Sequence, residues 1–224
     1  REDGLVMDDG TTARMSENHF IMTTTTVNAE SVYRHLEFCH QCLWPELDVK
    51  LISTTDAWAQ IAIAGPNSRK IISKIIDPEY DVSNEKFPFM ACADITICKG
   101  VRARLFRISF SGELAYELSV PTQYAYSLVS YLMEIGEEEN ITPYGTEALG
   151  VMRIEKGHAA GPELNGTTSA LNLNMDKMVS LKKDSIGMVL SKREGLHKLD
   201  AIKLVGLKPV KTDNQIVSGS HIFN

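Results

Sequence analysis

Apolar residues recur at helical spacing in four stretches of the chain. Between Asn28, a typical N-cap residue, and Pro45, this pattern predicts a helix over 29–43. The same spacing predicts a helix that begins at Pro66 and ends before Pro78. It also predicts a helix after Pro121 that Gly136 ends, and another over 145–155.

Alternation of apolar and polar residues predicts strands between these helices. The clearest case is 94–120, where two alternating runs flank a turn at Ser111 and Gly112 and predict a β-hairpin. The apolar phase slips by one residue near Leu105 and Phe106, which predicts a β-bulge there. Further strands are predicted over 23–26, 48–53, 57–64 and 198–207.

Helices and antiparallel strands in mixed order indicate the α+β class. The chain has no repeating βαβ unit and no G-x-G-x-x-G dinucleotide fingerprint. The pattern weakens beyond residue 182, and we expect the strand over 198–207 to open a new, small β domain.

Composition and charge exclude several classes of function. With 224 residues, 43% of them hydrophobic, the chain is long enough for a real core. The net charge is −6 and no basic stripe is present, so we expect no nucleic-acid partner. No apolar run has the length of a membrane span, so we expect no membrane partner. Because the chain begins with Arg1 rather than Met, we expect it to be cut from a longer polypeptide.

The four cysteines do not predict a metal site. Cys39 and Cys42 form the one closely spaced pair, and a structural zinc would need two more ligands nearby. We therefore expect no metal, and reduced cysteines in a cytoplasmic protein.

Five motifs in order resemble one superfamily. They are found in residues 2–10, 64–69, 87–90, 107–118 and 143–157. Together they resemble the T-protein superfamily, which includes the glycine-cleavage aminomethyltransferase, dimethylglycine and sarcosine dehydrogenases, and the sarcosine oxidase alpha subunits. The Asp-Asp-Gly sequence at 8–10 and the Gly-Thr-Glu-Ala-Leu sequence at 145–149 look most like the sarcosine oxidase alpha branch.

The resemblance implies an architecture and an activity. Residues 1–195 would form a T-protein-like folate-binding domain, without its N-terminal part, built of antiparallel sheets and flanking helices. Residues 196–224 would begin a small C-terminal β-barrel. The implied enzyme is an oxidoreductase that demethylates sarcosine and passes the one-carbon unit to tetrahydrofolate, giving 5,10-methylenetetrahydrofolate. FAD, FMN and NAD would bind only in missing regions or in the beta, gamma and delta partner subunits.

Two acids match family positions with a role in this chemistry. Asp9 matches the aspartate beside folate N10, where an anion stabilises a cationic intermediate and accepts a proton. An ordinary Asp-Asp-Gly turn explains the same residues without a function. Glu117 matches the glutamate that pairs with the pteridine N3 and 2-amino group. Strand alternation alone predicts a solvent-facing glutamate there equally well.

Three apolar residues are candidates for lining the pteridine slot. Phe110 stands where many T-proteins have tyrosine, and its ring can pack on the pteridine, although a core strand residue is the alternative. Phe89 and Met90 are the other two candidates.

The chain departs from the T-protein pattern at two positions. Leu149 stands at an arginine position and His158 at a tyrosine position. The first departure fits the sarcosine oxidase branch. We expect nearby Arg153 to be structural, donating hydrogen bonds to loop carbonyls.

Two other functions stay open on the sequence. One is a folate-binding module without chemistry, although its family relatives carry Lys-Gly-Cys-Tyr where this chain reads Lys-Gly-His-Ala at 156–159. The other is a stand-alone T-protein-like aminomethyltransferase or a demethylase of the same superfamily acting on a sulfonium compound.

Overall fold

A computed structural model describes residues 1–180, 182–198, 200–211, 215–217 and 219–221. The chain divides into two compact units. One is Val6–Thr167, and the other combines Arg1–Leu5 with Thr168–Asn224. The class is α+β with antiparallel sheets and flanking helices, as predicted. The predicted domain boundary at residue 195 stays a prediction.

The larger unit begins with a hairpin and a helix. Strands β1 (Thr12–Ser16) and β2 (His19–Met22) pair antiparallel, with an irregularity between Arg14 and Ser16. Helix α1 (Ala29–Phe38) continues as a π-helical turn (Cys39–Leu43), which confirms the helix predicted over 29–43. The strand predicted over 23–26 is wrong, because a 3-10 turn occupies Thr26–Asn28.

A four-stranded antiparallel sheet is the centre of this unit. Its strands are β3 (Trp58–Ala64), β4 (Cys92–Ile97), β5 (Val101–Phe106) and β6 (Ala115–Pro121), in the spatial order β3-β6-β5-β4. The same unit contains the helices α2 (Ser68–Ile75), α3 (Ala125–Ile135) and α4 (Thr146–Lys156). Two 3-10 turns, Thr122–Tyr124 and Glu137–Glu139, flank α3. The predicted helices and the hairpin of β5 and β6 are confirmed.

One face of this sheet forms the core. Alternate residues of the strands, among them Ile63, Leu105 and Leu118, pack against apolar residues of α2 and α3 such as Ile72 and Leu132. Leu105 and Leu118 are 0% exposed. Burial of each such side chain contributes about 1.5–3 kcal/mol. The core therefore determines which side chains of β5 and β6 point toward it and which point to the opposite face of the sheet.

Two predictions on the strands of this unit are wrong. No bulge occurs at Leu105 and Phe106, because the β4–β5 and β5–β6 registers run without a shift. Phe106 is buried but lies outside the core cluster, so the apparent phase slip marks an apolar residue on the second face. Residues 48–53 form no strand, and the backbone N–H of Val49 instead bonds locally to Leu47.

The smaller unit has little regular structure among its described residues. It contains helix α5 (Met188–Ser191) and 3-10 turns at Asp176–Met178 and Glu194–Leu196, while Leu5 forms a single antiparallel bridge with Ser169. The strand predicted over 198–207 is wrong for its described residues, although Leu199 lies outside them. There the Leu204 amide donates to the carbonyl of Asn172, and the Asn172 side chain donates to the Ile202 carbonyl.

Candidate functional site

The adjacent aspartates before β1 have different surroundings. The Asp8 carboxylate accepts hydrogen bonds from the Thr25 backbone amide (2.9 Å), the Thr25 hydroxyl (2.7 Å) and the Asn28 side chain (3.0 Å). Asn28 therefore occupies the helix N-cap position without capping α1 through its side chain. Within the described structure, the Asp9 carboxylate accepts a hydrogen bond from the Gly10 amide at 2.8 Å. Asp8 thus connects this segment to Thr25 and Asn28, while the Asp9 carboxylate has further acceptor sites. The catalytic role of Asp9 stays a prediction.

Position 10 requires glycine for a steric reason. A Cβ at Gly10 would lie 2.0 Å from the carbonyl oxygen of Thr23. The close approach is fixed by bonds between Thr11 and Thr23, including Thr23 amide to Thr11 carbonyl at 2.8 Å. Gly10 therefore allows the chain that follows Asp9 to lie against the end of β2.

Glu117 lies on the face of the sheet opposite the core. In β6 the core residues Tyr116 and Leu118 flank it, so alternation directs its side chain to the second face. Its cross-strand neighbours are Ala62 in β3 and Phe106 in β5. We name the side chains of Gln60, Arg104, Phe106, Glu117 and Ser119 the Glu117 face.

Hydrogen bonds join three side chains of the Glu117 face. The Gln60 amide donates to the Glu117 carboxylate, and the Ser119 hydroxyl donates to the Gln60 carbonyl oxygen at 3.3 Å. Glu117 is half-buried, and this burial raises the pKa of its carboxyl above the usual range. Burial and the negative charge of Glu117 raise the pKa of Tyr144, so this phenol lies within electrostatic reach of the carboxylate.

A cation lies farther along the Glu117 face. The Arg104 guanidinium lies 3.8 Å from the centroid of the Trp58 ring. Its Nε is 3.4 Å from a carboxylate oxygen of Asp94 on β4. Arg104 pairs across the strands with Ser119, two positions beyond Glu117. The face thus combines one half-buried acid with a cation that aromatic and acidic neighbours hold in place.

Phe89 and Met90 lie at the end of the sheet where Glu117 is found. The Met90 amide donates to the Arg107 carbonyl at 2.9 Å, one residue beyond Phe106, the cross-strand neighbour of Glu117. Both side chains are exposed, Phe89 by 65% and Met90 by 59%. They present apolar surface to solvent at this end of the sheet. Their role in binding stays a prediction.

Phe110 lies in the connection between β5 and β6 and not in a strand, so the core-strand alternative is wrong. Its ring stacks on the imidazole of His158, with centroids 5.7 Å apart. His158 follows α4, and its backbone carbonyl accepts a bond from Arg153 at 3.2 Å. The structural role expected for Arg153 is thereby confirmed. The structure joins Phe110 to the end of α4, while its contact with a ligand stays a prediction.

The two cavities described in this unit lie away from the Glu117 face. One of about 280 Å³ is bordered by Tyr80, Phe87 and Ile95, and one of about 360 Å³ by Cys98, Leu128 and Tyr131. Among the described residues, no group of three or more His, Cys, Asp or Glu side chains could hold a metal ion. Within that same part of the chain, no helix combines the length and apolar character needed to cross a membrane.

Comparison with known families identifies the chain. The family model described as the GCVT N-terminal domain matches residues 1–183. The chain belongs to the GCVT N-terminal domain family. The motifs at 2–10, 64–69, 87–90, 107–118 and 143–157 all lie within the matched range.

Relatives of this GCVT-family chain are larger enzymes. It is 52% identical over 225 residues to the sarcosine oxidase subunit alpha of Rhizobium meliloti (strain 1021), covering 100% of this chain and 23% of that protein. It is 28% identical over 206 residues to human mitochondrial dimethylglycine dehydrogenase, covering 92% of this chain and 22% of that protein. It is 30% identical over 216 residues to the aminomethyltransferase of Lysinibacillus sphaericus (strain C3-41), covering 93% of this chain and 55% of that protein. The chain spans under a quarter of the first two relatives.

The sequence alone missed two residues near Glu117 in the candidate site. Gln60 is separated from Glu117 by 57 positions, and their hydrogen bond follows from the pairing of β3 with β6. Alternation in β3 was a usable signal, because it places Gln60 on the face opposite to that of its neighbour Ile61, which packs against the core. Tyr144 precedes α4 and had no signal beyond its position in the motif at 143–157.

Proposed function

We propose that this chain is the tetrahydrofolate-binding part of a sarcosine oxidase alpha subunit. In the proposed reaction, the one-carbon unit released by oxidative demethylation of sarcosine becomes 5,10-methylenetetrahydrofolate. Support comes from the match to the GCVT N-terminal domain and from the 52% identity to a sarcosine oxidase subunit alpha across the whole chain. The enzyme would be an oxidoreductase whose oxidising centre lies outside these residues.

The observation that carries the proposal is the half-buried carboxylate of Glu117 beside its cross-strand neighbour Phe106, with Phe89 and Met90 exposed at the same end of the sheet. A pterin presents an N3–H and a 2-amino group side by side, and an ionised carboxylate accepts both in parallel. Away from bulk water these charge-assisted bonds gain strength. The apolar side chains nearby suit the flat ring, so the residues present fit a reduced folate.

Asp9 supplies the second element of the proposed chemistry. In the proposed reaction, N5 of the folate would bond to the methylene carbon of the iminium form of sarcosine, and the N5 proton would pass to the amine nitrogen. The C–N bond to the amine would then break, and glycine would leave with that electron pair and the proton. N10 would bond to the same carbon and release its proton. We assign Asp9 to accept this proton and to stabilise the preceding cation, because Asp9 matches the family aspartate beside folate N10. Within the described structure its carboxylate accepts a hydrogen bond from Gly10 and has further acceptor sites.

Further parts of the enzyme would lie beyond this chain. FAD, FMN and NAD would bind in other regions or subunits, and the beta, gamma and delta subunits would be its partners. We propose a cytoplasmic location, which suits the free thiols of Cys42, Cys92 and Cys98.

The test compares products of the full-length enzyme with its partner subunits. Sarcosine and tetrahydrofolate are supplied, and formaldehyde is scavenged so that uncatalysed condensation adds nothing. The wild type is expected to form 5,10-methylenetetrahydrofolate. Asp9→Asn is expected to keep oxidising sarcosine while methylenetetrahydrofolate formation falls by about 10²–10⁴-fold, the usual contribution of a general base.

Asp48→Asn is the matched control, because Asp48 is exposed on a loop. It is expected to behave as the wild type. Folate binding by the wild type without any methylenetetrahydrofolate would instead indicate a binding module without chemistry. Normal product formation by Asp9→Asn would remove Asp9 from the reaction.

A further inference from the structure

Gln60 is held by two hydrogen bonds that give its amide one orientation. The Ser119 hydroxyl donates to its carbonyl oxygen at 3.3 Å, which leaves Nε2 to donate to Oε2 of Glu117. Gln60 and Ser119 are direct cross-strand partners, and Glu117 pairs with Ala62 two positions along. All three side chains lie on the same face of two paired strands, so the register of the sheet sets the contact.

We propose that Gln60, fixed by Ser119, is a positioning residue that orients the Glu117 carboxylate and favours its ionised form for folate binding. This inference rests on the proposed function of Glu117. It adds two residues, Gln60 and Ser119, that would act on the ligand through Glu117.

The geometry gives Gln60 two effects on the carboxylate. Each oxygen of an ionised carboxylate has two acceptor sites, so the bond from Gln60 leaves sites for two parallel N–H donors of a pterin. The same bond restricts rotation of the carboxylate, which preorganises it for those donors. An N–H donor also stabilises the charged form, whereas burial favours the protonated form. On this inference, the hydrogen bond from Gln60 would offset part of the effect of burial on Glu117.

Charged and titratable groups on the neighbouring elements define the rest of the electrostatic environment. Among the described residues they include Tyr144 before α4, Arg102 and Arg104 on β5, Cys92 and Asp94 on β4, and Arg69, Lys70 and Lys74 on α2. Arg69 reaches the core side of β6, where its Nε donates to the Tyr116 hydroxyl at 2.8 Å. Arg104 is engaged with Trp58 and Asp94. Gln60, by contrast, donates its hydrogen bond directly to Glu117.

The test measures how folate affinity depends on pH in the full-length protein. The probe is 5-formyltetrahydrofolate, which is stable in air and keeps the pterin N3–H and 2-amino group. Calorimetry from pH 5.5 to 8.5 compares wild type, Gln60→Met, Ser119→Ala and Glu117→Gln. Methionine keeps the length of glutamine and removes its donor. Gln123→Met is the control, because Gln123 is an exposed glutamine outside the Glu117 face.

In the Gln60→Met variant the affinity at pH 8.5 is expected to stay within about threefold of wild type, because high pH favours the ionised form of Glu117 in both proteins. The loss is expected to widen to about tenfold or more as pH falls, since the pH at which binding weakens moves upward. Ser119→Ala is expected to shift the curve in the same direction by less. Gln123→Met is expected to follow the wild type.

The outcomes distinguish a failure of the positioning role of Gln60 from a failure of the proposed function. Curves of Gln60→Met and Ser119→Ala that coincide with the wild type at every pH would overturn the positioning role while Glu117 remains the binding acid. A uniform loss at every pH would support the orienting effect and overturn the effect on ionisation. Absence of wild-type binding, or binding that Glu117→Gln leaves unchanged, would overturn the proposed function. Ser119→Ala removes a single hydroxyl and keeps the test decisive if Gln60→Met does not fold.

Discussion

The side-chain amide of Gln60 donates a hydrogen bond to the carboxylate of Glu117 across the antiparallel pair of β3 and β6. The sheet therefore holds an acid on the face opposite its core before any ligand arrives. Burial raises the pKa of Glu117, so keeping its charge there at neutral pH costs folding free energy. An arrangement that favours ligand binding at the expense of stability is common at functional sites.

Replacing Glu117 with glutamine should stabilise the ligand-free protein at neutral pH. The folded-state pKa of Glu117 lies above its unfolded value, so the folded form binds the proton more tightly and the carboxylate is unfavourable above the folded pKa. A neutral amide removes this penalty. We expect the Tm of Glu117→Gln to exceed that of wild type at pH 7.5. The difference should vanish at about pH 4, where the carboxyl is largely protonated in both states.

Glu113→Gln is the control for this measurement, because Glu113 is exposed in the connection before β6. Scanning calorimetry of both variants at the two pH values gives the comparison. A lower Tm for Glu117→Gln at pH 7.5 would mean that the charge stabilises the fold.

Asp8 and Asp9 should differ in their effect on stability although they are adjacent. Asp8→Ala removes three hydrogen bonds that connect residue 8 to Thr25 and Asn28, and should lower the free energy of unfolding by about 1.5–3 kcal/mol. Asp9→Ala removes one local bond to Gly10 and should cost less than about 1 kcal/mol. Urea unfolding of the two variants measures both values.

Equal losses in the two variants would show that Asp9 contributes as much to the fold as Asp8 does. In that case the acceptor sites assigned to folate N10 would be occupied by the protein itself. A small loss for Asp9→Ala together with lost transfer to folate would support its chemical role.

Local patterns in the sequence predicted most of the helices and the central hairpin. Apolar spacing located α2 and α3, each of which buries a stripe of apolar residues, and it also located α1 and α4. Gly or Pro signals marked the helix ends. Phe106 is the reason for the wrong prediction of a β-bulge. It is an apolar residue buried on the second face, and a single sequence does not tell this from a change of phase.

The site was less predictable, because its contacts join distant positions. The motif containing Glu117 was visible, but the partners of Glu117 depend on how β3 and β5 flank β6. Alternation also predicted strands over 48–53 and 198–207, where the described residues find no pairing strand. A strand needs a partner for its backbone groups, and alternation does not supply one.

Arg153 should stabilise the segment after α4. It donates to Glu163 at 3.0 Å and to the His158 carbonyl at 3.2 Å, and its side chain is 14% exposed. Arg153→Met leaves both acceptors without this donor and should lower the free energy of unfolding by about 2 kcal/mol. Chemical denaturation of the variant measures the loss.

Arg34→Met is the matched control for Arg153. Arg34 forms an ion pair with Glu30 on the surface of α1, where both side chains are 74% exposed. Exposed pairs of this spacing contribute about 0.3–0.5 kcal/mol. A loss for Arg153→Met no larger than that of Arg34→Met would contradict a structural role for the buried contact.

Titration calorimetry of tetrahydrofolate with the Glu117→Ala variant tests the central claim most directly. With Glu113→Ala as control, we expect Glu117→Ala to weaken binding by about 1.5–3 kcal/mol, roughly tenfold to 150-fold in Kd, while the control stays within about twofold. An unchanged Kd for Glu117→Ala, in a variant that is folded, would remove this acid from the site.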